Sequence, residues 1–159
     1  MGCSRSWTRR SVAYGGGVLL LVAAVGCGEP QPPPLAQVSG VITLDDKPVP
    51  LALVTFYALF EGFGGEVIAE GVSDDDGRYV LSCPLGEGAC IGRHKVTVCD
   101  AASPDDAREQ STAGQAAMRA HLRRLTNRPI GPKFSTLATT PLEVEVTAEG
   151  GPYNFVLSR

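Results

Sequence analysis

Val38-Ser39-Gly40-Val41-Ile42-Thr43-Leu44-Asp45-Asp46-Lys47-Pro48-Val49-Pro50-Leu51-Ala52-Leu53-Val54-Thr55-Phe56 decides the fold. Its first seven residues are rich in β-branched side chains and partly alternating, the pattern of a strand with one buried face. Asp45-Asp46-Lys47-Pro48 then supplies turn chemistry. Beyond it, Leu51 to Phe60 is apolar and aromatic and reads as a second, buried strand.

The same reading extends outward. Glu61-Gly62-Phe63-Gly64-Gly65 is a turn, and Glu66 to Val72 is a third strand. In Asp74-Asp75-Asp76-Gly77 the glycine supplies positive φ for a tight turn. Arg78 to Cys83 follows as a fourth strand and His94 to Cys99 as a fifth. Leu142-Glu143-Val144-Glu145-Val146-Thr147 alternates apolar and polar residues without a break, as a half-buried strand does. Tyr153 to Leu157 closes the set. Seven short strands with regular turns predict an all-β sandwich.

One segment departs from β patterning. Ser103-Pro104-Asp105-Asp106 combines an N-cap, a proline for the first helical position and acids for the first turn. An inserted α-helix is therefore predicted around residues 103–126, with Met118, Leu122 and Leu125 as its apolar stripe. Gly114 would weaken its middle by about 1 kcal/mol relative to alanine. Arg119, Arg123, Arg124 and Arg128 gather late, where the helix dipole favours cations. The helix is expected to lie on the sandwich by its stripe, or to bind a partner through its arginines.

With the strands placed, a family resemblance emerges. The stretch Val38 to Phe56 resembles the opening of carboxypeptidase regulatory-like domains, roughly V-x-G-x-V-T-x-D-G-K-P-V-x-G-A-x-V-x-F. Asp46 and Leu51 stand where that pattern carries glycine. Ser73-Asp74-Asp75-Asp76-Gly77-Arg78-Tyr79 is similar to their T-D-x-D-G-x-Y/F signature, and Gly92 to Val98 resembles their G-x-Y/H-K-V-x-V segment. The ending, Pro132-Lys133-Phe134 then Pro141 to Val146, is similar to short lipoproteins of this kind from planctomycete-type bacteria. The resemblance implies a transthyretin-like (prealbumin-like), seven-stranded Greek-key sandwich. It also implies a non-catalytic spacer, structural or binding unit, although fold alone does not fix function.

The N-terminus speaks to location. Arg5, Arg9 and Arg10 precede an unbroken apolar run of eight residues, Val18 to Val25, followed by Gly26-Cys27. This is the order of a secretory signal. The run is well short of the roughly 20 residues a spanning helix needs. A cysteine directly after the small residue resembles the lipobox of bacterial lipoproteins, which implies cleavage before Cys27 and its lipidation. Each buried CH₂ contributes about 0.8 kcal/mol, and stable attachment takes more than one acyl chain; a triacylated Cys27 meets that condition. Gly28 to Gln37, with Pro30, Pro32, Pro33 and Pro34, reads as an extended tether of about 3 Å per residue. The expected organisation is a signal peptide over 1–26, a lipidated cysteine and tether over 27–37, and the sandwich domain over 38–159. The expected location is a cell-envelope membrane, the outer one rather than the inner.

Charge restricts the partners. The whole chain carries −3, and loss of three signal-peptide arginines would leave 11 basic against 17 acidic residues, or −6. A nucleic-acid partner, which calls for a basic face, is not expected. The membrane through its lipid anchor, and an envelope protein or polysaccharide, are.

Candidate chemistry is sparse. Asp74 and Asp76 are the carboxylates best placed for Ca²⁺, but an EF-hand loop counted from Asp74 puts Leu85 where the bidentate glutamate belongs. An acidic hairpin turn is the simpler expectation. Cys83 and Cys90 flank a Gly/Pro-rich loop that can bring them together, making them the disulfide candidates of an exported chain with Cys99 left over. Their spacing does not fit the short pairs of zinc sites. His94 and His121 are the chain's two histidines, and no nucleophile elbow, H-E-x-x-H or phosphate loop accompanies them. The sequence therefore predicts a membrane-anchored, non-enzymatic envelope lipoprotein acting as a binding or structural module, without cofactor. A Ca²⁺-responsive module built on Asp74–Asp76 and a small exported hydrolase using either histidine are the alternatives.

Overall fold

Alternation in the first strand sets the architecture. A computed structural model describes residues 31–108 and 110–159. In β1 (Val38–Leu44), Val38, Gly40, Ile42 and Leu44 face inward while Ser39 is exposed. The main strands that follow are β2 (Ala52–Ala58), β3 (Ala69–Val72), β4 (Arg78–Val80), β5 (Gly92–Asp100), β6 (Glu143–Val146) and β7 (Phe155–Leu157). All seven predicted strands are present, trimmed or extended by a few residues. The described part is predominantly β, with one α-helix.

Two sheets divide the strands. In one the order is β6-β5-β2-β3, continued by the short strands Ser82–Cys83 and Gly86–Glu87. In the other, β1 is central. β4 and Lys47–Pro48 pair with it antiparallel on one side, and Gly151–Pro152 and β7 pair with it parallel on the other. The predicted fourth strand, Arg78 to Cys83, is thus split: β4 belongs to one sheet and Ser82–Cys83 to the other. Leu81, buried between them, makes the crossing, with its amide donating to the Val38 carbonyl at 2.9 Å.

The core lies between the sheets. Val54 and Phe56 of β2, Val96 and Val98 of β5, and Ile42 and Leu44 of β1 are all fully buried. Phe56 meets Phe155 edge-on at 6.0 Å between centroids, and Tyr79 stacks on Phe155 at 6.4 Å. Such pairs add about 0.5–1.5 kcal/mol each beyond their area. Tyr79 keeps its hydroxyl satisfied by donating to the Tyr153 carbonyl at 2.5 Å. Burial pushes that phenol far above its ordinary pKa. Gly40 is required where it stands: a Cβ would lie 1.9 Å from the Tyr153 carbonyl oxygen.

The turn after β1 has a form that its sequence does not advertise. Leu44 pairs with Lys47, so Asp45-Asp46 is a two-residue hairpin loop. Both aspartates have positive φ, 50° and 62°, the signature of a type I′ turn. Leu51 also has positive φ, 53°. Asp46 and Leu51 are the two positions where the resembled family carries glycine, and the backbone keeps the glycine-like shape without the glycine.

Part of the stretch expected to be an extended tether is paired. Leu35–Ala36 pairs with Ala89–Cys90, and the Ile91 amide donates to the Pro34 carbonyl at 2.9 Å. The folded body therefore takes in residues assigned to the tether. Residues 1–26 and Cys27, with the signal and lipidation they were assigned, lie outside the described residues. Among the described residues no helix is long and apolar enough to cross a membrane.

A candidate binding cleft between the helix and the sandwich

The helix that shapes the surface starts later than the sequence suggests. α1 spans Thr112–Arg124, and its N-cap is Ser111, whose hydroxyl accepts from the Gly114 amide at 3.0 Å. Pro104-Asp105-Asp106 instead leads into a single 3-10 turn over Asp106–Arg108. Ser111 was obscured because Ser103-Pro104 carries the fuller set of start signals. Gly114 accordingly lies in the first turn and not mid-helix, which removes most of its expected cost.

The apolar stripe is also corrected. Leu122 is 56 % exposed, whereas Gly114 and His121 are the buried residues of α1. The inward face runs through Gly114, Ala117 and His121, at helical i, i+3, i+7 spacing, with the half-exposed Arg124 next along the cleft. Small residues let the helix approach closely, and one ion pair ties its end to the acidic turn. Arg124 donates from Nε to Asp75 Oδ1 at 2.9 Å, and its Nη2 lies 2.9 Å from the same oxygen.

The exit from α1 is clamped. Asn127 takes positive φ and its side-chain amide donates to the carbonyls of Leu44 at 2.8 Å and Lys47 at 2.9 Å. Arg128, mostly buried, is ion-paired with Asp100 and donates from Nη2 to the Pro50 carbonyl at 2.7 Å. Arg159 reaches back to both Asp45 and Asn127. Two of the four arginines assigned to a partner-binding face, Arg124 and Arg128, are thus engaged by the domain itself. Arg119 and Arg123 remain exposed. The sequence offered no spacing signal for these pairings, which join residues far apart in the chain.

Between helix and sandwich lies a cleft of about 530 Å³. Ala117, Ala120, His121 and Arg124 line it from α1, and Leu51, Val72, Ala101 and Ala102 from the sandwich side. Its volume falls within the roughly 300–1,000 Å³ of small-molecule sites. The walls are largely alanine and aliphatic, with imidazole and guanidinium as the polar groups. His121 is 8 % exposed as a residue and lines the cleft.

The other candidate residues fall elsewhere. Asp74 Oδ1 accepts from the amides of Asp76 at 2.9 Å and Arg78 at 2.8 Å, closing the turn on itself. Gly77 has φ of 74°, as predicted. Ser73, just before it, donates to the Val49 carbonyl at 2.6 Å and accepts from the Ala52 amide at 2.8 Å. With Asp75 on Arg124, the acidic turn is a fastening point for the insertion. Among the described residues, no group of three or more His, Cys, Asp and Glu is placed to hold a metal ion.

His94 lies inside the sandwich. Its ring sits 5.8 Å from Phe56 and 6.2 Å from Phe60, and Nδ1 is 3.0 Å from the Gly92 carbonyl. Nε2 is buried without a partner among the described residues. Burial pulls its pKa below the ordinary value, against a smaller opposing effect of the Gly92 hydrogen bond. Neither histidine is hydrogen-bonded to a hydroxyl or thiol among the described residues. Phe63 packs edge-on to Phe60 at 5.6 Å.

Cys83, Cys90 and Cys99 are free thiols, so the Cys83–Cys90 disulfide is not formed here. The intervening loop makes a tight hairpin instead, pairing Cys83 with Gly86, while Cys90 is held opposite Leu35. Burial raises the Cys90 pKa, and the neighbouring Cys83 adds to the effect. Comparison with protein-family models, with curated proteins and with solved structures finds no match to this chain.

Proposed function

We propose that this chain is an exported, lipid-anchored envelope protein whose transthyretin-like Greek-key sandwich, of the carboxypeptidase regulatory-like kind, works by binding and not by catalysis. Cys27 carries the lipid, a short proline-rich tether spaces the domain from the membrane, and the cleft beside α1 is the binding surface. One observation carries the reading of the domain: the polar residues of its motifs are used to build it. Ser73 bridges two loops, Asp74 closes its own turn, and Asp75 fastens the inserted helix. What the insertion adds to that scaffold is a concave, mostly apolar surface with two basic side chains.

The test is fractionation of cells expressing the full chain and its Cys27→Ser variant. The wild-type chain is expected to stay with membranes through high-salt washing and to be released by detergent. The variant is expected to leave the washed membrane fraction. Equal behaviour of the two would overturn the anchor.

A further inference from the structure

We infer that the cleft between α1 and the sandwich binds a small aliphatic carboxylate, its chain on the alanine-lined walls and its head on His121 and Arg124. The inference deepens the binding-module reading by naming a ligand class. Ala117 to Arg124 spans seven residues, or about 10 Å along the helix axis. Over that length the walls are Ala117, Ala120, Ala101 and Val72, which provide apolar contact but no donor side chain. Toward the Arg124 end the chemistry changes: His121 and Arg124, at i and i+3, are neighbours on the helix and both line the cleft.

Arg124 is suited to such a head group even though Asp75 holds it. A guanidinium has five N–H donors in a fixed fork. Asp75 engages Nε and Nη2 through a single oxygen, which orients the fork and leaves the remaining donors available. His121, a mostly buried residue on the cleft wall, can donate a ring N–H there, and a carboxylate oxygen supplies an acceptor. Charge-assisted hydrogen bonds of this kind are about twice as strong as neutral ones. A hydrocarbon chain alone would cover the imidazole without giving it a hydrogen-bond partner.

Titration of the purified full chain with hexanoate, octanoate, 1-hexanol and hexylammonium tests this, read by NMR on the alanine methyls and His121 ring. Hexanoate and octanoate are expected to shift Ala117, Ala120 and His121 saturably, octanoate more tightly. Hexanol should bind roughly tenfold more weakly for loss of the charged contacts, and hexylammonium not at all. Arg124→Gln should weaken octanoate roughly tenfold.

Arg124→Gln also removes the tie to Asp75, so Asp75→Ala separates the two roles. It breaks the same tie but frees the guanidinium, and octanoate should bind it at least as well as wild type. Equal loss in both variants, equal binding of hexanol and hexanoate, or no saturable shift would overturn the proposal. An unlipidated Cys27 would defeat the anchored reading and leave this titration unaffected, so the two can fail separately.

Discussion

Asp46 holds a backbone shape that glycine holds without steric cost. Its φ of 62° places Cβ against the neighbouring carbonyl, a conformation costing an L-residue about 1–2 kcal/mol. Glycine would remove that strain and give back part of the gain through a freer unfolded chain. Asp46→Gly is expected to stabilise the protein by roughly 0.5–1 kcal/mol, measured by urea unfolding. Asp45 is the poorer choice, since its carboxylate pairs with Arg159. A second residue-scale effect belongs to His94. Its folded pKa lies below the ordinary 6.5, so the unfolded chain binds the proton more readily. Stability is then fully present above pH 6.5 and falls as pH drops through the folded value, by at most about 1.4 kcal/mol per pH unit. Unfolding across pH 5–8 should show this loss, and His94→Leu, which removes the titrating group and the orphaned Nε2, should lack it. Single residues were the hardest to read from sequence. The aspartate pair announced a turn, but its positive φ values and the burial of His94 come from pairings made elsewhere in the fold.

At the scale of elements, the strands were legible because each carries its own signal. The period-two burial of β1 and the alternation of β6 are local patterns that survive in the fold. Gly40 shows what local pattern omits: β1 accepts the Tyr153 carbonyl against its inner face, a contact between residues more than a hundred positions apart. Gly40→Ala is expected to destabilise by roughly 3 kcal/mol, the upper end for overpacking, with a lowered Tm as the readout. The helix was misread for a related reason. Leu122 looked like core in a helical repeat, yet the buried face is made of Gly114 and His121, with Ala117 half-buried beside them. Small residues on that face leave little for an apolar periodicity to register. The cleft, lined by residues far apart in the chain, was equally hidden.

For the described body as a whole, its first and last segments meet at one strand. β1 receives β7 in parallel on one edge, and Leu35–Ala36 leads into β1. The proposed anchor joins this body to a membrane through one residue, and intact-mass measurement of the protein extracted from membranes tests that link most directly. The predicted result is a chain beginning at Cys27, lacking residues 1–26 and heavier than its sequence by a diacylglyceryl and an acyl group. A chain of unmodified mass at Cys27, or one retaining the first 26 residues, would contradict it.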